Sequence, residues 1–156
     1  MLQAYAVEYG ISCTVARLGN VYGRGAAADS IASIVMRQAI AGGPVVVETL
    51  APVRDFIYRD DVVSGLVALA TSTETSGFQL VNVSSGVATS IRELAETACA
   101  IAGVQAKPTE RSSRPDAVRD RVVLSIERMI TATGWTPSFS LDAGLRATMA
   151  ESGGRS

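Results

Sequence analysis

Any chemistry in this chain has to proceed without imidazole, because none of its 156 residues is a histidine. Histidine triads, histidine metal sites and imidazole proton transfer are excluded together. Lys107 is the single lysine among the 14 basic residues, and all the others are arginines. A mechanism that needs a lysine must use Lys107 or do without. Arginine suits phosphate, since its planar fork donates two parallel, charge-assisted bonds. Arg54 stands in Arg54-Asp-Phe-Ile-Tyr58 and Arg114 in Arg114-Pro-Asp116. Arg111, Arg119, Arg121 and Arg128 read as solvated or helix-end charges. Asp60 and Asp61 have the spacing of a paired-carboxylate site. Adjacent acids opening a helix are read instead as caps, where the helix dipole favours them. Cys13 and Cys99 are too few for a disulfide framework or a zinc site, and are expected to be reduced and buried.

The composition narrows the class. Hydrophobic residues make up 47% and charged residues 19%, the balance of a globular chain of one domain's length. A net charge of -1 leaves no electrostatic footprint for nucleic acid. No apolar run reaches the roughly eighteen residues that span a bilayer. Met1 to Glu8 lacks the basic start and long apolar stretch of a signal peptide, so a cytoplasmic location is expected.

The elements that would position these residues alternate in type. Leu2, Tyr5, Ala6 and Tyr9 have helical spacing, with Gly10 at the stop. Cys13–Leu18 is a strand, followed by a glycine-punctuated loop over 19–25. Asp29 or Ser30 caps a helix expected to bury Ile31, Ile34, Val35 and Ile40, which ends at Gly42-Gly43-Pro44. Strands are expected over 45–48, 54–58 and 78–83, with a helix from Asp60 to about Ala70 between the last two. Ser90 and Glu93 form a capping box opening a helix to about Ala102. After a polar stretch from Lys107 to Arg121, a short helix runs from Ser125 to Gly134, and Ser140 caps the last one. The alternation argues for an α/β fold.

One motif is tempting. Gly19-x-x-x-Gly23-x-Gly25 follows a strand and precedes a helix, and a second strand ends on Glu48. That is the outline of a dinucleotide-binding unit. Bulky Tyr22 and Arg24 flank the middle glycine, and the helix begins near Asp29, too late to aim its amides at a pyrophosphate. The motif is therefore set aside.

A second frame uses more of the chain. Arg17-Leu-Gly-Asn-Val-Tyr-Gly23, Arg54-Asp-Phe-Ile-Tyr58, Asp60-Asp-Val62, Asn82-Val-Ser-Ser-Gly86, Ser90-Ile-Arg-Glu-Leu94 and Gly134-Trp-Thr-Pro137 occur in this order. Together they closely resemble the C-terminal half of the NAD-dependent epimerase/dehydratase family, the extended short-chain dehydrogenases acting on nucleotide sugars. The resemblance implies the last strands of a Rossmann-like parallel sheet over 1–50, a small substrate-binding lobe over most of 51–150, and a tail at 151–156. It implies NAD as cofactor and a nucleotide sugar as substrate.

By the same resemblance Asn20 would touch the sugar nucleotide, Arg54 and Arg114 would grip its diphosphate, and Leu18 and Gly19 would stand beside the nicotinamide. Read from the residues alone, Asn20 could equally bond its own turn, and Arg54 could pair with Asp55. The family's Arg-Pro-Gly-Asp stretch lacks its glycine here, and Glu48 to Pro52 replaces a glycine-rich turn. Trp135 and Pro137 read as a packing anchor. Members of the family also carry a glycine-rich turn and a Tyr-x-x-x-Lys pair; Lys107 has Gly103 four residues before it, so no such pair occurs in this sequence. The expectation is half an enzyme, with a separate chain carrying the other half as a candidate partner and a homo-oligomer as another. The rival expectation is a catalytically silent nucleotide-sugar-binding or assembly module, or a truncated product.

Overall fold

The computed structural model describes residues 1–72, 77–112 and 120–153. Arg114, Asp116 and Arg119 lie outside these residues. Strand β1 (Cys13–Leu18) pairs in parallel with β6 (Phe78–Val83), matching the expected bounds of both. Residues of one parity, Ala16 with Val81 and Val83, pack on a core with Val62 and Leu69 of α3 (Arg59–Thr71), Met129 of α5 (Glu127–Thr133), and Trp135. Trp135 is the anchor its sequence setting suggests. Its indole N–H donates to Ser64 Oγ at 2.9 Å, and its ring passes so close to α3 that a Cβ on Gly65 would lie 3.2 Å from Cε2.

A second core lies beyond the end of β1. It joins Tyr22, helix α2 (Ile31–Ile40), Leu50, Phe56, Tyr58, helix α4 (Ile91–Ala102) and Leu145 of α6 (Leu141–Gly153). Ser30 caps α2 by accepting from Ser33 N, and the Ser90–Glu93 capping box at α4 is complete. Both helix starts were legible because a cap is a local interaction. The buried face of α2 is Ala32, Val35, Met36 and Ala39; of the four residues expected inside, Val35 is buried, Ile31 and Ile34 are half-buried and Ile40 is exposed, because α4 and α6 pack on a face turned from the one read. Ser140 accepts from Ala143 N at the start of α6, as expected.

Several expectations need correction. The loop after β1 contains a short strand, β2 (Asn20–Tyr22), paired in parallel with β5 (Phe56–Tyr58). The strand expected over 54–58 is broken into β4 (Val53–Arg54) and β5 by Asp55. The strand expected over 45–48 shortens to β3 (Val46–Val47), whose partner β8 (Thr109–Glu110) lies inside the polar stretch. Strand β7 (Thr89–Ser90) runs antiparallel to β4. These two-residue strands carry too little periodicity to be read; tertiary pairing alone defines them.

Asp60 and Asp61 do not cap α3. The N-cap is Tyr58, with no side-chain bond. Asp61 is buried and accepts from the backbone N–H groups of Ser138 at 2.8 Å and Phe139 at 3.0 Å, while Asp60 pairs with Arg59 at the surface. Cys99 is buried and Cys13 half-buried, both with free thiols.

Helix α1 (Leu2–Tyr9) ends at Gly10, in the left-handed conformation. Only Ala6 is buried; Leu2, Tyr5, Val7 and Tyr9 are exposed, with the two tyrosine rings stacked at 5.4 Å. Among the described residues β1 has a partner on one edge only. In a parallel ladder every second amide faces a given neighbour. Cys13 N donates to Gly77 O, and Gly19 N donates to Val83 O. We predict that hydrogen exchange will alternate along β1. Amides of Cys13, Val15, Arg17 and Gly19 should be slow, and those of Thr14, Ala16 and Leu18 fast. Uniform protection would mean that the second edge is covered.

Candidate functional site

At Gly19 the chain changes partners. Gly19 N donates to Val83 O at 3.1 Å, the last bond towards β6, and Asn20 N donates to Asp55 O at 2.7 Å, the first towards β5. The crossing leaves no room for a side chain. A Cβ on Gly19 would collide with Ser84 Oγ and lie 3.0 Å from Asp55 O. Ser84 is fully buried, and its hydroxyl has no hydrogen-bond partner among the described residues.

Asp55 locks this crossing. Its carboxylate is buried and accepts from Ser85 N at 3.0 Å, Ser85 Oγ at 2.6 Å, Gly86 N at 3.1 Å and Leu124 N at 3.2 Å. Four donors satisfy a buried charge that would otherwise be prohibitive. Since backbone alternates, turning Asp55 inwards turns its neighbour Arg54 outwards.

Outwards lies a cleft of about 470 Å³ between β2, the start of α2 and the 48–54 segment. Gly19, Asn20, Ser30, Glu48, Arg54 and Phe56 are among its lining residues. Asn20 is exposed at its wall; its backbone is engaged with Asp55, as just described. Two features of this cleft favour an anion: the guanidinium of Arg54, and the N-terminal turn of α2, where Ile31 and Ala32 also line the wall. The segment from Glu48 to Pro52, which departs from the expected glycine-rich turn, forms part of the lining through Glu48, Thr49 and Pro52.

Arg54 does not pair with Asp55. Its Nη2 lies 2.6 Å from Asp120 Oδ2, and Nη1 donates to the carbonyls of Val53 and Asp120 at 2.9 and 3.0 Å. The hydrogen bond from Arg54 holds the Asp120 carboxyl below the usual carboxylate range. The structure thus brings Gly19, Asn20 and Arg54 together on one cleft. Leu18 stands at the end of β1, 45% exposed, one residue before the cleft-lining Gly19.

Tyr22 is buried: desolvation, then the nearby charge of Asp61, pushes its phenol far above the ordinary value, and its hydroxyl donates to Leu141 O at 3.4 Å. The glycine motif is no pyrophosphate cradle. Residues 23–30 intervene as turns before α2 begins at Ile31, with Ser30 as its cap. Sequence reasoning missed the roles of Asp55, Asp61 and Asp120. No local signal distinguishes these acids from surface carboxylates.

Residues 1–84 match the profile of the NAD dependent epimerase/dehydratase family. The chain belongs to this family. A probable GDP-L-fucose synthase 1 of Oryza sativa subsp. japonica is 32% identical over 158 residues, covering 95% of this chain and 47% of the rice protein. The UDP-glucose 4-epimerase of Thermotoga maritima, crystallised with UDP-glucose, matches with a TM-score of 0.82 at 27% identity, over 96% of this chain and 48% of that one. The RMD protein of Pseudomonas aeruginosa, complexed with NADPH, matches with a TM-score of 0.81 at 28% identity, over 96% of this chain and 50% of that one. The chain spans about half the length of these relatives. Its mixed α/β fold with parallel strands is that of the family.

The crossing at Gly19 generates a prediction. Gly19→Ala should destabilise the chain by about 1–3 kcal/mol through overpacking. Adding Ser84→Gly should restore part of that loss in urea unfolding, because the colliding hydroxyl is gone and had no bond to lose. A double variant no better than Gly19→Ala would place the strain elsewhere.

Proposed function

We propose that this chain forms the nucleotide-sugar-binding half of an NAD(P)-dependent epimerase or dehydratase. The cleft that joins Arg54, Asn20 and the start of α2 is the observation that carries the reading. The diphosphate would lie against Arg54 and the N-terminal turn of α2, and Asn20 would face the sugar. Arg114, outside the described residues, would be the second arginine on the diphosphate. Leu18 and Gly19 would stand beside the nicotinamide and supply shape, not chemistry.

The dinucleotide, when bound, would accept and return hydride at a sugar carbon. The described residues do not fit a complete site for it, since the glycine loop over 19–25 forms no pyrophosphate cradle. The two buried tyrosines beside the cleft are poorly placed for proton transfer: the Tyr22 phenol is pushed upwards, and Tyr58 is raised as well, by desolvation first and then by Asp60 and Glu151. These observations favour binding over turnover by this chain alone. We propose that the remaining half of the fold, on the same polypeptide or on a partner chain, packs against this one. The exposed apolar residues of α1 and the open edge of β1 support such a neighbour.

Calorimetry with UDP- and GDP-sugars tests the reading. Arg54→Ala should weaken binding about ten- to a hundredfold, the worth of a charge-assisted bond of about 1.5–3 kcal/mol. Asn20→Ala should weaken the intact nucleotide sugar more than the bare nucleoside diphosphate. Wild-type affinity in Arg54→Ala would remove the diphosphate from this cleft. Turnover by the purified chain with NAD(P) would refute the assignment of binding alone.

A further inference from the structure

Arg54 already holds an anion of its own. Of the two acids beside it in sequence or space, Asp55 is turned into the interior and fully used by four donors. Asp120 is the counter-ion, 2.6 Å from Nη2. This placement is imposed by the main chain. Val53 N donates to Asp120 O at 2.9 Å, Val122 N donates to Val53 O at 3.0 Å, and Arg121 bridges to Val53. The segment is thereby laid against β4, and its carboxylate lies at the guanidinium of a residue that lines the cleft.

The two sides of the guanidinium are held differently. Nη1 is tied to two backbone carbonyls, which no ligand needs to displace. Nη2 is tied to a carboxylate that is 50% exposed. We infer that Asp120 is a built-in competitor for the cleft: its carboxylate occupies the phosphate-reading face of Arg54 and must yield it when a nucleoside diphosphate binds. This inference rests on the reading of the cleft given above.

The exchange is physically accessible. An ion pair this exposed is weakly held, and a multiply charged diphosphate can displace one carboxylate. The carbonyl contacts at Nη1 keep the arginine aimed while Nη2 changes partner. Asp120 also leaves a negative charge beside the incoming phosphate, so the competitor penalises ligands by their charge. Since Arg54 holds the Asp120 carboxyl below the ordinary range, the competitor stays charged at neutral pH. Asp120 is therefore a specificity-setting residue that acts through Arg54.

The experiment uses the 156-residue chain and its Asp120→Asn and Arg54→Ala variants, titrated in a calorimeter at low salt with UDP, GDP, UMP and uridine. Asp120→Asn keeps the backbone contacts and removes the charge. It should bind UDP and GDP about two- to fivefold more tightly than wild type, the worth of an exposed ion pair. The gain should shrink for UMP, vanish for uridine and fade with added salt. If Asp120→Asn does not fold, Asp120→Ser serves the same comparison. Diphosphate binding that is unchanged or weaker without Asp120, in a chain whose affinity still depends on Arg54, overturns the inference and leaves the cleft reading intact. An equal gain for uridine also overturns it, since a structural change would act on every ligand. Diphosphate affinity that ignores Arg54 in every variant overturns the reading of the cleft, and the inference with it.

Discussion

A carboxylate taken out of water has to be given donors, and Asp55 receives four of them from two separate stretches of chain. Its backbone carbonyl receives a fifth, from Asn20 N. Residues 19–20, 55, 85–86 and 124 are thus fastened at one point. Removing the acid would take away the acceptor shared by the amides of Ser85, Gly86 and Leu124 and the Ser85 hydroxyl. The rest of the cleft depends on this fastening. It fixes where β1 gives way to β2, and it forces the next side chain, Arg54, towards solvent.

The same point separates the two cores. On one side, β1 and β6 present Ala16, Val81 and Val83 to α3, α5 and Trp135. On the other, β2 and β5 carry Tyr22, Phe56 and Tyr58 into a core shared with α2, α4 and α6. Gly19 stands where the chain passes between them, with no space for even one carbon. A cleft at a place where a strand changes its partners lies where α/β folds generally take their ligands. Asp61 repeats the device at the start of α3, where its carboxylate holds the backbone of Ser138 and Phe139 and so fixes the approach to α6.

Long, strongly patterned elements were legible in the sequence. The six-residue strands Cys13–Leu18 and Phe78–Val83, the capping box at Ser90 and the glycine stops at Gly10 and Gly134 all stand as read, because neighbours within a few residues determine them. The strand over 54–58 was misjudged at one residue. Asp55 is a poor strand former, and only its distant donors explain why it sits there. The cap reading of Asp60 and Asp61 failed for a related reason. Helix position predicts a cap, but a long-range demand from residues 138–139 claimed Asp61 instead.

The residues themselves determined the chemistry on offer. Histidine is absent, and arginine, which suits anions, is nearly the whole cationic complement. Arg54 and Asn20 were singled out by the resemblance of their motifs to the family's. What only the tertiary structure decided is which partners these side chains meet. Asp55 adjoins Arg54 in sequence yet faces the interior, and Asp120, 66 positions away, faces the guanidinium. Sequence adjacency in an extended segment places neighbouring side chains on opposite faces. Charge pairing between distant segments is therefore set by how they are laid against one another, and no local pattern records it.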